Sequence, residues 1–213
     1  MFSRHLDWGY FDHPPMVAFF IKIGYSLFQN ELGIRLLTVF SQVIMLRVIW
    51  QMITIPNKEN YTWAFFLTAF SLPMLQIYGF FTTPDVPLLL FGSLTLLAYQ
   101  QFKKVANFQH ILFFSLSAAA LMYSKYHGAL FLIFIIASDW KLLLQPKFYL
   151  VGILAILLFS PHIYWQYINE FPSFQYHLSD RVNRQEWWFI PEYIGNQLLI
   201  YNPMMWFIFI PIF

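Results

Sequence analysis

Six apolar runs, at 36–55, 61–81, 85–102, 108–124, 127–144 and 148–167, constrain this chain more than any other feature. Each approaches the roughly 20 residues a helix needs to cross the hydrocarbon of a bilayer. Lipid offers the backbone no hydrogen-bond partner, so tandem runs of this length dictate helices that pair their own amides and carbonyls. Charge is scarce to match: 59% of the residues are hydrophobic and 10% are charged, against about 25% charged in an ordinary soluble domain. A seventh run begins near 196 and continues to the last residue. The stretch 14–29 is shorter and interrupted by Lys22. With Pro14 and Pro15 suited to a helix start, it reads as an interfacial helix leading into the first span. The expected fold is all-α: a polytopic transmembrane helix bundle of six to seven spans, one domain over 1–213. The chain starts on a polar stretch and stops inside WFIFIPIF, so truncation at both ends is expected.

Loop charge gives the orientation. Lys58, Lys103, Lys104, Lys141 and Lys147 fall in loops that share one side if the six segments alternate, and positive charge marks the cytoplasmic side. The other side then holds the N-terminal stretch, the turns at 82–85 and 124–128, and the loop at 168–195. A net charge of +2 with no basic stretch interleaved with aromatics gives no footprint for nucleic acid. Without cysteine there is no disulfide or thiolate metal site. The N-terminus lacks the apolar core of a signal peptide. No zinc, P-loop or dinucleotide spacing occurs.

The polar residues that remain sit at span ends on the outer side. Densest is Asp7-Trp8-Gly9-Tyr10-Phe11-Asp12-His13-Pro14-Pro15. A carboxylate there can act as a general base or hold a divalent cation, and the two prolines fix the backbone just after Asp12 and His13. A solvated loop before a proline-started helix explains the same residues equally well. Asp85, in TTPDVP, suits the first turn of a helix, where a carboxylate favours the positive dipole end; capping alone would account for it. Lys125, in SKYHG, would either snorkel to lipid headgroups or neutralise a lipid phosphate, with His127 beside it. His162 follows Pro161, and a lone histidine of this kind is more often structural. Arg181 and Arg184, in SDRVNR, either clamp phosphate or belong to a solvated loop. Residue chemistry by itself gives an outer-face polar cluster and names no reaction.

Four blocks in order resemble a known family. HLDWGYFDHPPMVAFFIKIG with ELGIRL, then GFFTTPDVPLLLF, then LMYSKYHGALFL, then SPHIYWQYINEFPSFQYHLSDR are similar to polytopic glycosyltransferases of the GT-C fold. These include the bacterial relatives of protein O-mannosyltransferases and of the lipid A aminoarabinose transferase. The likeness runs from about residue 5 to about 200. It implies transfer of a hexosyl or pentosyl group from a polyprenyl-phosphate donor to a lipid, glycan or protein acceptor, usually with inversion. It further implies an inner membrane of a bacterium with the active face periplasmic. On this resemblance Asp12 and Asp85 take the acidic catalytic positions, with a divalent metal beside Asp12. His13, Lys125 and Arg181 take positions at the lipid phosphate, with Asp7, Tyr10 and His127 in support. The family usually carries a further acid followed by tyrosines, upstream of the Asp-His-Pro-Pro block. This sequence begins after that point, Asp7 is not its equivalent, and a chain without that acid is not expected to be active alone. Two other readings compete. A transporter or flippase of a polyprenyl-linked substrate would need polar residues at mid-span, and these spans are nearly free of charge. A non-catalytic membrane scaffold would need none of the chemistry.

Overall fold

The structure, a computed structural model, describes residues 5–176 and 187–200. Among these residues the chain is helical, with no strand: α1 Met16–Leu27, α2 Glu31–Met52, α3 Thr62–Ser71, α4 Pro73–Phe80, α5 Asp85–Lys104, α6 Phe108–Ser124, α7 Gly128–Ser138, α8 Pro146–Ile168, α9 Pro172–Gln175 and α10 Phe189–Ile200. The expected interfacial helix is α1, and it folds back on α2. At their crossing a Cβ on Gly24 would stand 3.1 Å from the Gly33 carbonyl carbon and closer still to its oxygen, so the backbones meet with no side chain between them. Asn30 starts α2 by accepting a hydrogen bond from Gly33 N at 3.2 Å, and Asn107 starts α6 by accepting from His110 N at 2.8 Å.

The six expected spans are all helical, but two are interrupted. The run 61–81 is α3 plus α4, bent by 76°. Pro73 lacks an amide proton and bars Leu72 from helical geometry, leaving Leu72 extended at φ −85°, ψ 107°. The run 127–144 is α7, which stops at Ser138, plus a short 3-10 turn over Trp140–Leu144. By length and composition α2 and α8 can cross a membrane, and the bent α3–α4 pair makes a third span if it counts as one. The α6 helix, 17 residues, spans only about 25 Å at 1.5 Å per residue, and α5 ends on Lys103 and Lys104. The beginning of the expected seventh run is α10; the rest lies outside the described residues.

The core lies where α5, α6, α7 and α8 pack, around Ala98, Phe102, Ile111, Phe114, Ile135 and Val151. Small residues on α6 let its neighbours approach, and Ser115 Oγ donates both to its own helix, at Ile111 O, and across to Val151 O at 3.2 Å. Contacts at the helix ends sort the bundle into two faces. Thr82 Oγ1 lies 2.6 Å from Thr38 Oγ1 and 3.1 Å from Ile34 O, which puts the starts of α2 and α5 together. Lys125 reaches Asp85, and His162 reaches Trp8, which adds the ends of α6 and α8 to that face. On the opposite face Lys147 donates to Ala106 O at 2.7 Å, and Asp139 joins Lys103 at 2.7 Å and Tyr99 at 2.9 Å. The lysines used for orientation at 103–104, 141 and 147 thus belong to one end, as their loop positions require.

Candidate functional site

On the first face, besides the Glu31–Arg35 pair on α2, two acid–base pairs stand out. Asp85 is the first residue of α5, following the Thr82–Pro84 turn, and its Oδ1 lies 2.7 Å from Lys125 Nζ. Both side chains are about three-quarters buried. Asp85 sits in the first turn of α5, where a carboxylate favours the dipole, and its carboxylate is also engaged by the lysine. Lys125 therefore turns inward to a partner instead of snorkelling. The second pair is Asp12 with His13, whose Nδ1 stands 3.2 Å from Asp12 Oδ2. The alignment is not that of a hydrogen bond, and His13 Nδ1 is a buried atom with no hydrogen-bond partner among the described residues. Asp12 remains more than a third exposed.

Tyr126 joins the pairs. It follows Lys125 in the chain, and its phenol is held above its ordinary pKa by burial, with hydrogen bonds to Ser173 and Gln166 opposing and the negative charge of Asp12 adding a smaller push. The turn that carries the lysine is thus within electrostatic reach of the loop that carries the acid.

The other expected residues have local roles. Asp7 accepts from the next residue's amide, Trp8 N, at 2.7 Å, a contact within its own loop. Tyr10 is buried; its hydroxyl donates to His5 O at 3.0 Å and accepts from Asp7 N at 3.3 Å. Burial raises its pKa, the Asp7 amide opposing. His127 is the residue before α7. Arg181, with Arg184, lies outside the described residues. Beside the loop, a trough of about 560 Å³ is lined by Leu6, Asp7, Trp8, Pro15, Phe19 and Tyr123, and its wall is almost wholly apolar.

Beneath the loop lies a polar network that residue types did not announce. His162, Gln166 and Ser173 are each at most 2% exposed. His162 Nδ1 lies 2.6 Å from Trp8 O, and its Nε2 lies 3.1 Å from Tyr126 Oη. Gln166 Nε2 donates to Tyr126 Oη at 2.6 Å and to Ser173 Oγ at 2.8 Å, and Ser173 donates to Tyr10 O at 3.1 Å. The one available signal was spacing: His162 and Gln166, four apart on an apolar helix, share a face.

The chain matches known proteins in sequence and in fold. The family described as dolichyl-phosphate-mannose-protein mannosyltransferase matches residues 12–165, from the exposed acid to the residue before Gln166. The chain belongs to this family. Its helices also superpose on the crystal structure of ArnT from Cupriavidus metallidurans in the apo state, with a TM-score of 0.66 at 19% identity. That match takes in 96% of this chain and 42% of the ArnT chain, so the chain spans less than half the length of the structure it resembles. The likeness is one of fold, and together with the family match it places the bundle in the GT-C superfamily. Among curated proteins, none matches.

Proposed function

We propose that this chain is part of a membrane glycosyltransferase that moves a sugar from a polyprenyl phosphate to a lipid, glycan or protein acceptor at the outer, periplasmic face of a bacterial inner membrane. The observation that carries the reading is the grouping, at one end of the bundle, of an exposed carboxylate, a lysine held by an acid, and an apolar trough. Asp12 takes the proton from the acceptor hydroxyl, which then attacks the anomeric carbon. The bond from that carbon to the phosphate oxygen breaks, and the configuration inverts. The leaving group departs as a phosphate that is already anionic. It therefore needs a cation and not a proton, and Lys125 provides one. Asp85 holds the ammonium in place, and the trough receives the first isoprene units of the donor.

A divalent ion beside Asp12 belongs to the same proposal. Among the described residues no three carboxylate or imidazole groups converge, so the fitting ion is one like Mg²⁺, which uses one or two carboxylates and fills its shell with water and phosphate. Such an ion would hold phosphate charge, with Asp12 as its protein ligand.

The deciding experiment is transfer from a radiolabelled polyprenyl-phosphate sugar in membranes holding the full-length protein, with and without EDTA. Wild type is expected to transfer, and Asp12→Asn to fall by roughly 100-fold or more, the upper range for loss of a general base. Equal rates for the two would remove Asp12 from the chemistry. Absence of transfer from every donor would leave transport or scaffolding in its place.

A further inference from the structure

The loop carrying Asp12 has no regular structure, so something outside it sets where the acid stands. Its own hydrogen bonds run from Trp8 N to Asp7, from Asp7 N to Tyr10 Oη, from Tyr10 Oη to His5 O, and from Tyr10 N to His13 O at 3.1 Å, all between close neighbours. Among the described residues, two of its backbone carbonyls on alternate residues, Trp8 O and Tyr10 O, accept hydrogen bonds from the bundle, and both end on the buried network.

Proton counting gives these bonds one consistent set of directions. A carbonyl only accepts, so His162 carries its proton on Nδ1 and donates it to Trp8 O. The neutral ring then has a bare Nε2, which accepts from the Tyr126 hydroxyl. With its proton used, the Tyr126 oxygen accepts one N–H of Gln166. The second N–H goes to Ser173, whose own proton goes to Tyr10 O. The chain opens on one carbonyl of the loop and closes on another two residues along. Turning the Gln166 amide over would face its oxygen against the Tyr126 oxygen and strand both N–H groups. The orientation found leaves one acceptor, Gln166 Oε1, without a hydrogen bond among the described residues. No charge is needed anywhere in the relay, which suits its burial at the membrane boundary.

The backbone is bent to complete it. Ser173 reaches Tyr10 only because Glu170 and Phe171, just past α8, both adopt left-handed geometry, at φ 61° and 56°. L-residues rarely do this singly, and two in succession mark a turn held by its surroundings. Phe171 N donates to Gln166 O at 2.8 Å, and the Gln175 side chain donates to Glu170 O at 2.9 Å.

We propose that His162 is a positioning residue for glycosyl transfer: its relay through Tyr126, Gln166 and Ser173 fixes the Asp12 loop against the turn that presents Lys125. The inference rests on the glycosyltransferase reading. His162 itself touches no substrate, because it is buried under the loop and its two nitrogens are engaged. It acts by holding an acid and a cation, borne on segments more than a hundred residues apart, in one relative geometry.

The test uses the full-length protein in membranes, with kcat and donor KM normalised to folded protein. Tyr126→Phe deletes one oxygen from the middle of the relay. His162→Phe deletes both ends of the imidazole. His162→Asn keeps an amide N–H near the place of Nδ1. Misplacement of a reacting group by about 1 Å can cost roughly 100-fold in rate. Tyr126→Phe and His162→Phe are expected to lower kcat by roughly 10- to 100-fold with donor KM within about threefold, and His162→Asn to recover about tenfold over His162→Phe. Wild-type kcat in both Phe variants overturns the inference, and so does a rise in KM alone. If His162→Phe does not accumulate, Tyr126→Phe and His162→Asn decide. A wild type that transfers nothing refutes the glycosyltransferase reading itself, a result distinct from active variants.

Discussion

Gly9→Ala isolates the placement of the Asp12 loop from its chemistry. No glycine among the described residues has positive φ, so alanine fits the backbone at position 9 and only space opposes it. The new Cβ would stand 2.7 Å from Cζ3 and 2.9 Å from Cδ2 of Trp165, and closer still to Cε3. Ordinary contact begins at 3.4 Å, so relief takes a shift of about 1 Å. Trp165 cannot supply it easily, because its ring stacks on His162 with planes 14° apart, and His162 is buried. The loop moves instead. If the shift lies along the Trp8–His162 bond, its 2.6 Å becomes about 3.6 Å, beyond hydrogen-bonding distance. The buried Nδ1–H is then left without a partner, which costs about 1–3 kcal/mol of stability. A 1 Å misplacement of Asp12 raises the barrier by about 2.7 kcal/mol, or roughly 100-fold in rate. Glycosyl transfer in membranes gives the rate, and thermal unfolding in detergent gives the stability. Adding Trp165→Leu removes the obstructing ring, so the double variant is expected to lose less than the sum of the two single changes. A Gly9→Ala protein with wild-type kcat and wild-type melting would refute the claim that this loop is held by its floor.

Gly24→Ala is expected to separate α1 from α2 and cost about 1–3 kcal/mol in detergent melting, because its neighbour is the Gly33 backbone. Gly152→Ala, with nothing within 4 Å of the new Cβ, is the matched control and is expected to gain up to about 1 kcal/mol from helix propensity. On the opposite face, hydrogen bonds from Lys103 first and Tyr99 second hold the Asp139 carboxyl below its ordinary value of 3.8. A depressed carboxyl stabilises the fold above its unfolded pKa, and that contribution is lost as pH falls from about 4 through the folded value. Lys103→Met is therefore expected to raise the pH at which acid unfolding begins, and an unchanged acid limb would show that the cluster does not matter.

What the sequence made legible follows the kind of force involved. The α6 helix falls on its expected boundaries, 108–124, since a cap at Asn107 and a polar turn at Lys125 are local signals. The break at Pro73 was equally local, yet the apolar run across it masked it. The end of α7 at Ser138 was not local: Asp139 is drawn to Lys103 and Tyr99 on another helix, and no pattern within 127–144 shows that. The same division holds at the site. Asp12, Asp85 and Lys125 stand out as charges in an apolar chain, and the structure pairs Asp85 with Lys125 across 40 residues. Gln166 and Ser173 are ordinary residues whose importance lies only in what they touch. His162, which read as structural, is indeed buried, but its partner Trp8 is 154 residues away.

Charge balance at the two pairs yields a prediction that runs against intuition. Asp12, Asp85 and Lys125 together carry one net negative charge before any donor arrives. A polyprenyl-phosphate sugar brings another. Lys125 therefore attracts the phosphate against a carboxylate lying 2.7 Å behind it. A phosphate oxygen on the far side of the ammonium would stand roughly 5.5 Å from Asp85, where two unit charges repel by about 1 kcal/mol at an effective dielectric between water and protein surface. Asp85→Asn removes that repulsion, so donor KM is expected to fall about fivefold. The same change frees the lysine from its fixed place, so kcat is expected to fall too, and an unpaired, largely buried ammonium costs about 1–3 kcal/mol of stability, less than a fully buried one would. Steady-state transfer at varied donor concentration separates the three effects. A rise in KM would mean that orienting Lys125 outweighs repelling phosphate. That outcome would refute the view that this site needs a further cation, such as the ion beside Asp12, to close its charge balance.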